Sequence, residues 1–184
     1  MNRNIVYAVL AGGASNRFKK DKRFAQYNGK MLIEYPISVL KQFSDLVYVV
    51  VKPKEDLSID AVVINDDFLY GGPVCGMYTL LKNIDADFYV FLVADMPFVN
   101  KHMVQKLIQS IDTNHEAYLF KCGEKWNPFP LILKRDVLNY FNQSDCINES
   151  VHNFFKNLNI EYIACDEDMN FANINTQNDY EILT

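Results

Sequence analysis

Ile5-Val6-Tyr7-Ala8-Val9-Leu10-Ala11-Gly12-Gly13 is the stretch that decides the fold. Its first six residues are apolar without alternation, which is how a strand covered on both faces reads. Two glycines then break the run. A buried strand that stops in a glycine turn near the start of a chain predicts an α/β protein.

The segments downstream repeat the rhythm. Ile33, Ile37, Leu40 and Phe43 share one face of a helix over residues 31–43, with Pro36 tolerable in its first turn. Strands follow over residues 46–51, stopped by Lys52-Pro53, and over residues 61–64. Gly71-Gly72-Pro73 opens a helix through Leu81, with Pro73 suited to the first helical position. Phe88 to Val93 is a fourth apolar strand, ending at Asp95. Val104, Leu107, Ile108 and Ile111 form the apolar stripe of a helix, and Asn100 suits its N-cap. Strands at 118–120, 131–133 and 161–164, helices at 135–142 and 150–158, and a closing helix after Thr176 complete the reading. Strand and helix alternate as in βαβ units. This predicts one α/β domain over residues 1–184, a three-layer αβα sandwich around a mostly parallel sheet. Ligands of such sheets bind beyond the carboxyl ends of the strands, so the loops after Leu10, Ile64 and Val93 should share a crevice.

Composition narrows the function. The chain has 184 residues, 49% hydrophobic and 22% charged, with 18 Lys+Arg against 23 Asp+Glu. A net charge of −5 argues against a nucleic-acid binder. No apolar run reaches the roughly 18 residues of a membrane span, so no membrane partner is expected. The short β-branched run at residues 5–11 is rejected as a secretory signal. Cys75, Cys122, Cys146 and Cys165 show no CxxC pair. The expectation is therefore reduced thiols in a cytoplasmic protein, with neither a zinc site nor a disulfide framework.

Glycine is scarce, with 7 in the chain. Gly12 and Gly13 fall in one loop, and Gly71, Gly72 and Gly76 in another. Clustering at one end of one sheet points to a ligand approaching the backbone. The first loop continues through Ala14, Ser15, Asn16 and Arg17 to Lys19, Lys20, Asp21, Lys22 and Arg23. Backbone N–H donors followed by a cluster of cations suit a polyphosphate. The P-loop and dinucleotide patterns are both absent. Asp95, following six apolar residues, emerges where a carboxylate can hold Mg²⁺ together with substrate phosphates. His102, His115 and His152 have no metal spacing and read as surface residues. Trp126 with Asn127-Pro128-Phe129-Pro130 reads either as a wall of an acceptor pocket or as a rigid loop on the core.

The motif LAGG-x-S-x-R followed by Asp21-Lys22 resembles the nucleotide-binding loop of the nucleoside-triphosphate nucleotidyltransferases. Asp66, Gly72-Pro73-Val74-Cys75-Gly76-Met77, Val93-Ala94-Asp95-Met96-Pro97 and Phe171-Ala172-Asn173-Ile174-Asn175-Thr176 narrow the resemblance to the molybdenum cofactor guanylyltransferase family. It implies a Rossmann-like nucleotidyltransferase fold. It also implies an Mg²⁺-dependent transfer of GMP from GTP to molybdopterin, with release of pyrophosphate. Leu10, Ala11, Gly12, Gly13 and Ser15 would line the nucleotide, and Arg17 and Lys22 would neutralise its triphosphate. Asp66, Gly72, Pro73 and Gly76 would lie beside base and ribose. Asp95 would hold the metal, and Asn173 and Asn175 would stand near the metal and the pterin. Transient contacts with proteins of cofactor assembly are implied too. The chain departs from the family pattern at Lys19-Lys20, where glycine is usual, at Lys52-Pro53, where a polar nucleotide contact is usual, and at Gln177, where proline is usual. Guanine readout is therefore expected from the backbone of residues 72–76. A CTP-dependent relative, one with another phosphate acceptor, and a non-catalytic nucleotide binder are the alternatives.

Overall fold

The computed structural model describes residues 3–13, 21–68, 72–141, 150–167 and 169–174. Its centre is a strand ladder. β1 (Ile5–Leu10) pairs in parallel with β4 (Tyr48–Val51) on one side and with β6 (Phe88–Val93) on the other. β5 (Val62–Asn65) extends the sheet beyond β4. Beyond β6 come β8 (Lys125–Lys134), β7 (Ala117–Cys122) and the edge strand β9 (Ile160–Ala164). Among the described strands of this sheet only β8 opposes the common direction, pairing antiparallel with both β6 and β7.

The uninterrupted apolar runs explain the central position of β1 and β6. Val9, Val49, Val90, Phe91 and Leu92 are fully buried, as strands covered on both faces require. Among the described residues two α-helices lie on each face. α1 (Glu34–Leu40) neighbours α3 (Lys101–Gln109), and α2 (Pro73–Asn83) neighbours α4 (Val151–Phe155). The three-layer sandwich and the mostly parallel sheet are as the sequence predicts. Pro73 takes the first position of α2, and the Asn100 side chain accepts the Met103 N–H at 3.0 Å to cap α3.

Several local expectations need correction. Residues 31–33 are not helical, because Met31 belongs to a hairpin of β2 (Gln26–Tyr27) and β3 (Lys30–Met31). Its Asn28-Gly29 turn has positive φ at both residues, the backbone of a tight hairpin. Residues 126–130 form no loop between strands; they are the first half of β8, with a register shift opposite Leu119 and Phe120. Residues 135–140 form a 3-10 helix. The closing helix after Thr176 falls outside the described residues.

The thiol expectation is also overturned. Cys122 and Cys165 are joined in a disulfide with Cα atoms 5.1 Å apart. They are 43 residues apart in sequence, which hid the pairing, but β7 and β9 are parallel neighbours whose ends lie level. Closing a loop of that length stabilises the fold by about 2–4 kcal/mol in the chain-entropy view. Cys165→Ser, or reductant added to the native chain, should lower the melting temperature by roughly 4–16 °C. Calorimetry with and without dithiothreitol checks this, with unchanged melting as the contrary result.

Candidate active site

β1 is flanked by β4, reached through α1, and by β6, reached through α2, so the chain reverses its direction of winding across it. The crevice beyond its carboxyl end is where such sheets take ligands. A cleft of 430 Å³ opens there. Leu10, Ala11, Gly12, Gly13, Lys22, Asp66, Gly72, Pro73, Gly76, Asp95 and Asn173, expected from separate stretches of sequence, all line it. Ser15, Arg17 and Asn175 lie outside the described residues.

The register of β1 against β6 runs from Ile5 opposite Phe88 to Leu10 opposite Val93, and the Ala94 N–H continues it to the Leu10 carbonyl at 3.1 Å. The two strands therefore end level, and Asp95 leaves the sheet beside the glycine loop. Lys22 arrives from a 3-10 turn (Lys22–Phe24) and places Nζ 2.5 Å from Asp95 Oδ2. Both side chains are largely buried, at 19% and 13% exposure. A cation is thus already seated at the carboxylate expected to hold one. The Ile174 N–H donates to the Asp95 carbonyl at 3.1 Å, anchoring the segment that brings Asn173 into the cleft. Asn173 Oδ1 is buried there without a hydrogen-bond partner among the described residues. A buried acceptor left unsatisfied costs about 1–3 kcal/mol.

Across the cleft, Asp66 continues from β5 and is 7% exposed. Its Oδ1 accepts from the Thr79 hydroxyl at 2.7 Å and from the Phe68 N–H at 3.2 Å. Its Oδ2 lies 3.9 Å from where a Gly76 Cβ would stand. Burial pushes the Asp66 carboxyl above its ordinary value, and those two hydrogen bonds oppose the shift. The role of Gly76 is packing: a Cβ there would come within 3.1 Å of Leu10 and 3.5 Å of Val50. Residues 73–76 are the first turn of α2 rather than an open loop. Pro73 has no N–H, and the Cys75 and Gly76 amides turn back to the Gly72 carbonyl at 3.1 and 3.5 Å. Backbone readout from this turn would therefore use groups other than those two amides, and the Asp66 carboxylate lines the same cleft.

Sequence reasoning missed part of the lining. Arg23 is no solvated cation: it is 5% exposed and paired with Asp21 and Glu55. His152, read as a surface residue, is exposed but stands at the cleft with Val151, facing Pro128 and Phe129 of β8. Its ring lies 4.4 Å from that of Trp126. Of the two readings of residues 126–130, the wall is nearer the structure. The other histidines sit away from the cleft, His102 on Asp166 and His115 between Asp112 and Glu161. Among the described residues no three His, Cys, Asp or Glu side chains group to hold a metal.

The raised Asp66 pKa carries a stability consequence. The unfolded carboxyl gives up its proton near 3.8, the native one only at higher pH. Between those values the native state binds more protons, so stability falls as pH rises and stays lowered above the native pKa. Asp66→Asn keeps an acceptor for Thr79 and should remove this fall, leaving a chain at least as stable at neutral pH. Melting temperatures from pH 3.5 to 7 test it; a parallel curve for the variant is the contrary outcome.

A family model described as MobA-like NTP transferase domain matches residues 7–159. A protein of Clostridium perfringens strain 13, named "Probable molybdenum cofactor guanylyltransferase", is 30% identical over 96% of this chain and 94% of its own. One of the same name from Methanocaldococcus jannaschii is 31% identical over 91% and 92%. The structure of molybdopterin-guanine dinucleotide biosynthesis protein A from Archaeoglobus fulgidus superposes with a TM-score of 0.79 over 96% and 95%, at 23% identity, a likeness of fold. With the family model spanning most of the chain and relatives at 30% identity or more nearly end to end, the chain belongs to the MobA-like NTP transferase domain family.

Proposed function

We propose that this chain transfers GMP from GTP to molybdopterin. The observation that carries the reading is the Lys22–Asp95 pair, 2.5 Å apart at the level ends of β1 and β6, facing Asp66 across one cleft. A terminal phosphate oxygen of the acceptor attacks the α-phosphorus of GTP. The bond to the bridging β-phosphate oxygen breaks, and pyrophosphate leaves with that electron pair. The nucleophile is already an anion, so the site supplies alignment and charge stabilisation rather than a strong base. Lys22 would engage the triphosphate, joined by Arg17, and the strand-end residues Leu10 to Gly13 would follow the nucleotide. No helix among the described residues is long and apolar enough to cross a membrane. A GTP-dependent synthesis belongs with the nucleotide pool, which favours the cytoplasm against the Cys122–Cys165 disulfide, a bond uncommon there.

Mg²⁺ fits these residues. Asp95 offers a hard carboxylate of which Lys22 takes only Oδ2, and Asn173 Oδ1 offers a further oxygen donor in the same cleft. One protein carboxylate with phosphate oxygens and water is an ordinary Mg²⁺ environment. When bound, the metal would neutralise charge on the reacting phosphates.

With its Oδ1 taken by Thr79 and Phe68, Asp66 would offer Oδ2 to one donor of the base, beside the backbone of residues 72–76. Guanine presents N1–H and an exocyclic amine side by side; adenine and cytosine present one donor beside an acceptor. The acceptor side of the cleft is the wall of Phe129, Val151 and His152, with Asn173 at its foot.

Two outcomes test the reading. Asp95→Asn should still fold, at a lower melting temperature because the largely buried Lys22 loses its carboxylate. It should lose about a hundredfold or more in turnover at every Mg²⁺ concentration, a loss of the size seen on removing one preorganised charge-stabilising group. Normal turnover would sink the metal assignment. Asp66→Asn should weaken GTP binding by roughly tenfold to a hundredfold, the cost of one mispaired group. Competition against a labelled GTP analogue decides the base. If CTP displaces it as well as GTP does, the cytidylyl relative replaces the guanylyl one.

A further inference from the structure

The guanidinium of Arg23 has five N–H groups, and all five are spent within the protein. Nε donates to Asp21 Oδ1 at 2.9 Å. Nη1 donates to the Ala11 carbonyl and to Glu55 Oε2, both at 2.8 Å. Nη2 donates to Asp21 Oδ2 at 2.5 Å and to Glu55 Oε1 at 2.8 Å. Glu55 also accepts the Lys52 N–H at 3.3 Å, and the Asn65 side chain donates to the Lys52 and Glu55 carbonyls at 3.1 and 2.7 Å. The Ile33 N–H donates to the Arg23 carbonyl at 3.1 Å. One side chain therefore ties together the end of β1, the turn after β4 and the 3-10 turn that carries Lys22.

Ala11 is gripped from two sides. Its N–H donates to the Val50 carbonyl at 2.8 Å and its carbonyl accepts from Arg23. In a trans peptide the next N–H points opposite to that carbonyl, so the Gly12 amide is aimed away from the guanidinium. The neighbouring residue, Lys22, reaches Asp95. Arg23 has no N–H left for a phosphate, although it stands at the cleft.

We propose that Arg23 is a positioning residue for nucleotide binding: it fixes the Ala11–Gly12 peptide and the turn bearing Lys22, and does not itself touch the substrate. The proposal rests on the nucleotide-transfer reading above. It explains how a chain with Lys52-Pro53 after β4 still organises that turn, through Glu55 and Arg23 rather than through a side chain laid on the nucleotide. It also requires arginine, since a lysine ammonium has three donors against the five used here and lacks the planar fork that meets each carboxylate with a pair of bonds.

A purely structural ion cluster predicts something different. Buried ion pairs can be exchanged for apolar side chains with little loss of stability. The test compares wild type, Arg23→Lys and the double variant Arg23→Met/Glu55→Met by melting temperature, hydrogen exchange of the ligand-free chain, binding of a fluorescent GTP analogue, and steady-state kinetics. The double variant should melt within a few degrees of wild type. It should still bind the analogue at least tenfold more weakly, raise KM for GTP with KM for the acceptor unchanged, and exchange at least tenfold faster at residues 11–13 but not in β6. Arg23→Lys, which keeps charge and stem, should show the same split. Wild-type affinity and wild-type exchange in either folded variant overturn the proposal. Should wild type itself fail to bind the analogue, the transfer reading falls and takes the nucleotide-positioning role with it, even if exchange at residues 11–13 still rises in the variants.

Discussion

The parallel pairing of β1 with β6 is the constraint from which the site follows. Six residue pairs run in register from Ile5 opposite Phe88 to Leu10 opposite Val93. Both strands are buried on two faces, so neither can slip without carrying apolar side chains into the wrong environment. Because they end level, the glycine loop and Asp95 must leave the sheet side by side. A cleft between them is a consequence of register, and the helices on either face only wall it in.

Charge in the cleft is arranged by depth and partner. Lys22 and Asp95 face each other where a phosphate and its cation would come. Asp66 sits deeper, its carboxyl raised by burial and braced by Thr79. Arg23 is withdrawn from the ligand altogether and holds the Glu55 carboxyl below its ordinary range. Three sequence-adjacent residues, Asp21, Lys22 and Arg23, thus do three different things: cap a turn, meet a carboxylate, and tie loops together. Of the two described cations in this turn, Lys22 is the one directed into the cleft.

Much of this was legible beforehand. Unbroken apolar runs identified β1 and β6, Pro73 and Asn100 marked helix starts, and two glycine clusters pointed at one end of the sheet. Other signals were present and unread. Asn28-Gly29 announces a hairpin, and residues 125–134 carry a strand despite two prolines, because register irregularity and position accommodate them. The disulfide had no local signal at all, since its partners are brought together by two strands adjacent in the sheet and distant in the chain.

Sequence by itself determined the elements, their alternation and the kinds of residue at the strand ends, because local periodicity and backbone chemistry act over a few residues. Only the tertiary structure decided which of them meet. That Lys22 faces Asp95 while Arg23 turns inward to Glu55 depends on distant loops converging at the carboxyl end of the central strands, as the separations of 73 and 32 residues show. The fate of a charged side chain depends on the partners and the burial that convergence provides, and neither is a property of its neighbours in the chain.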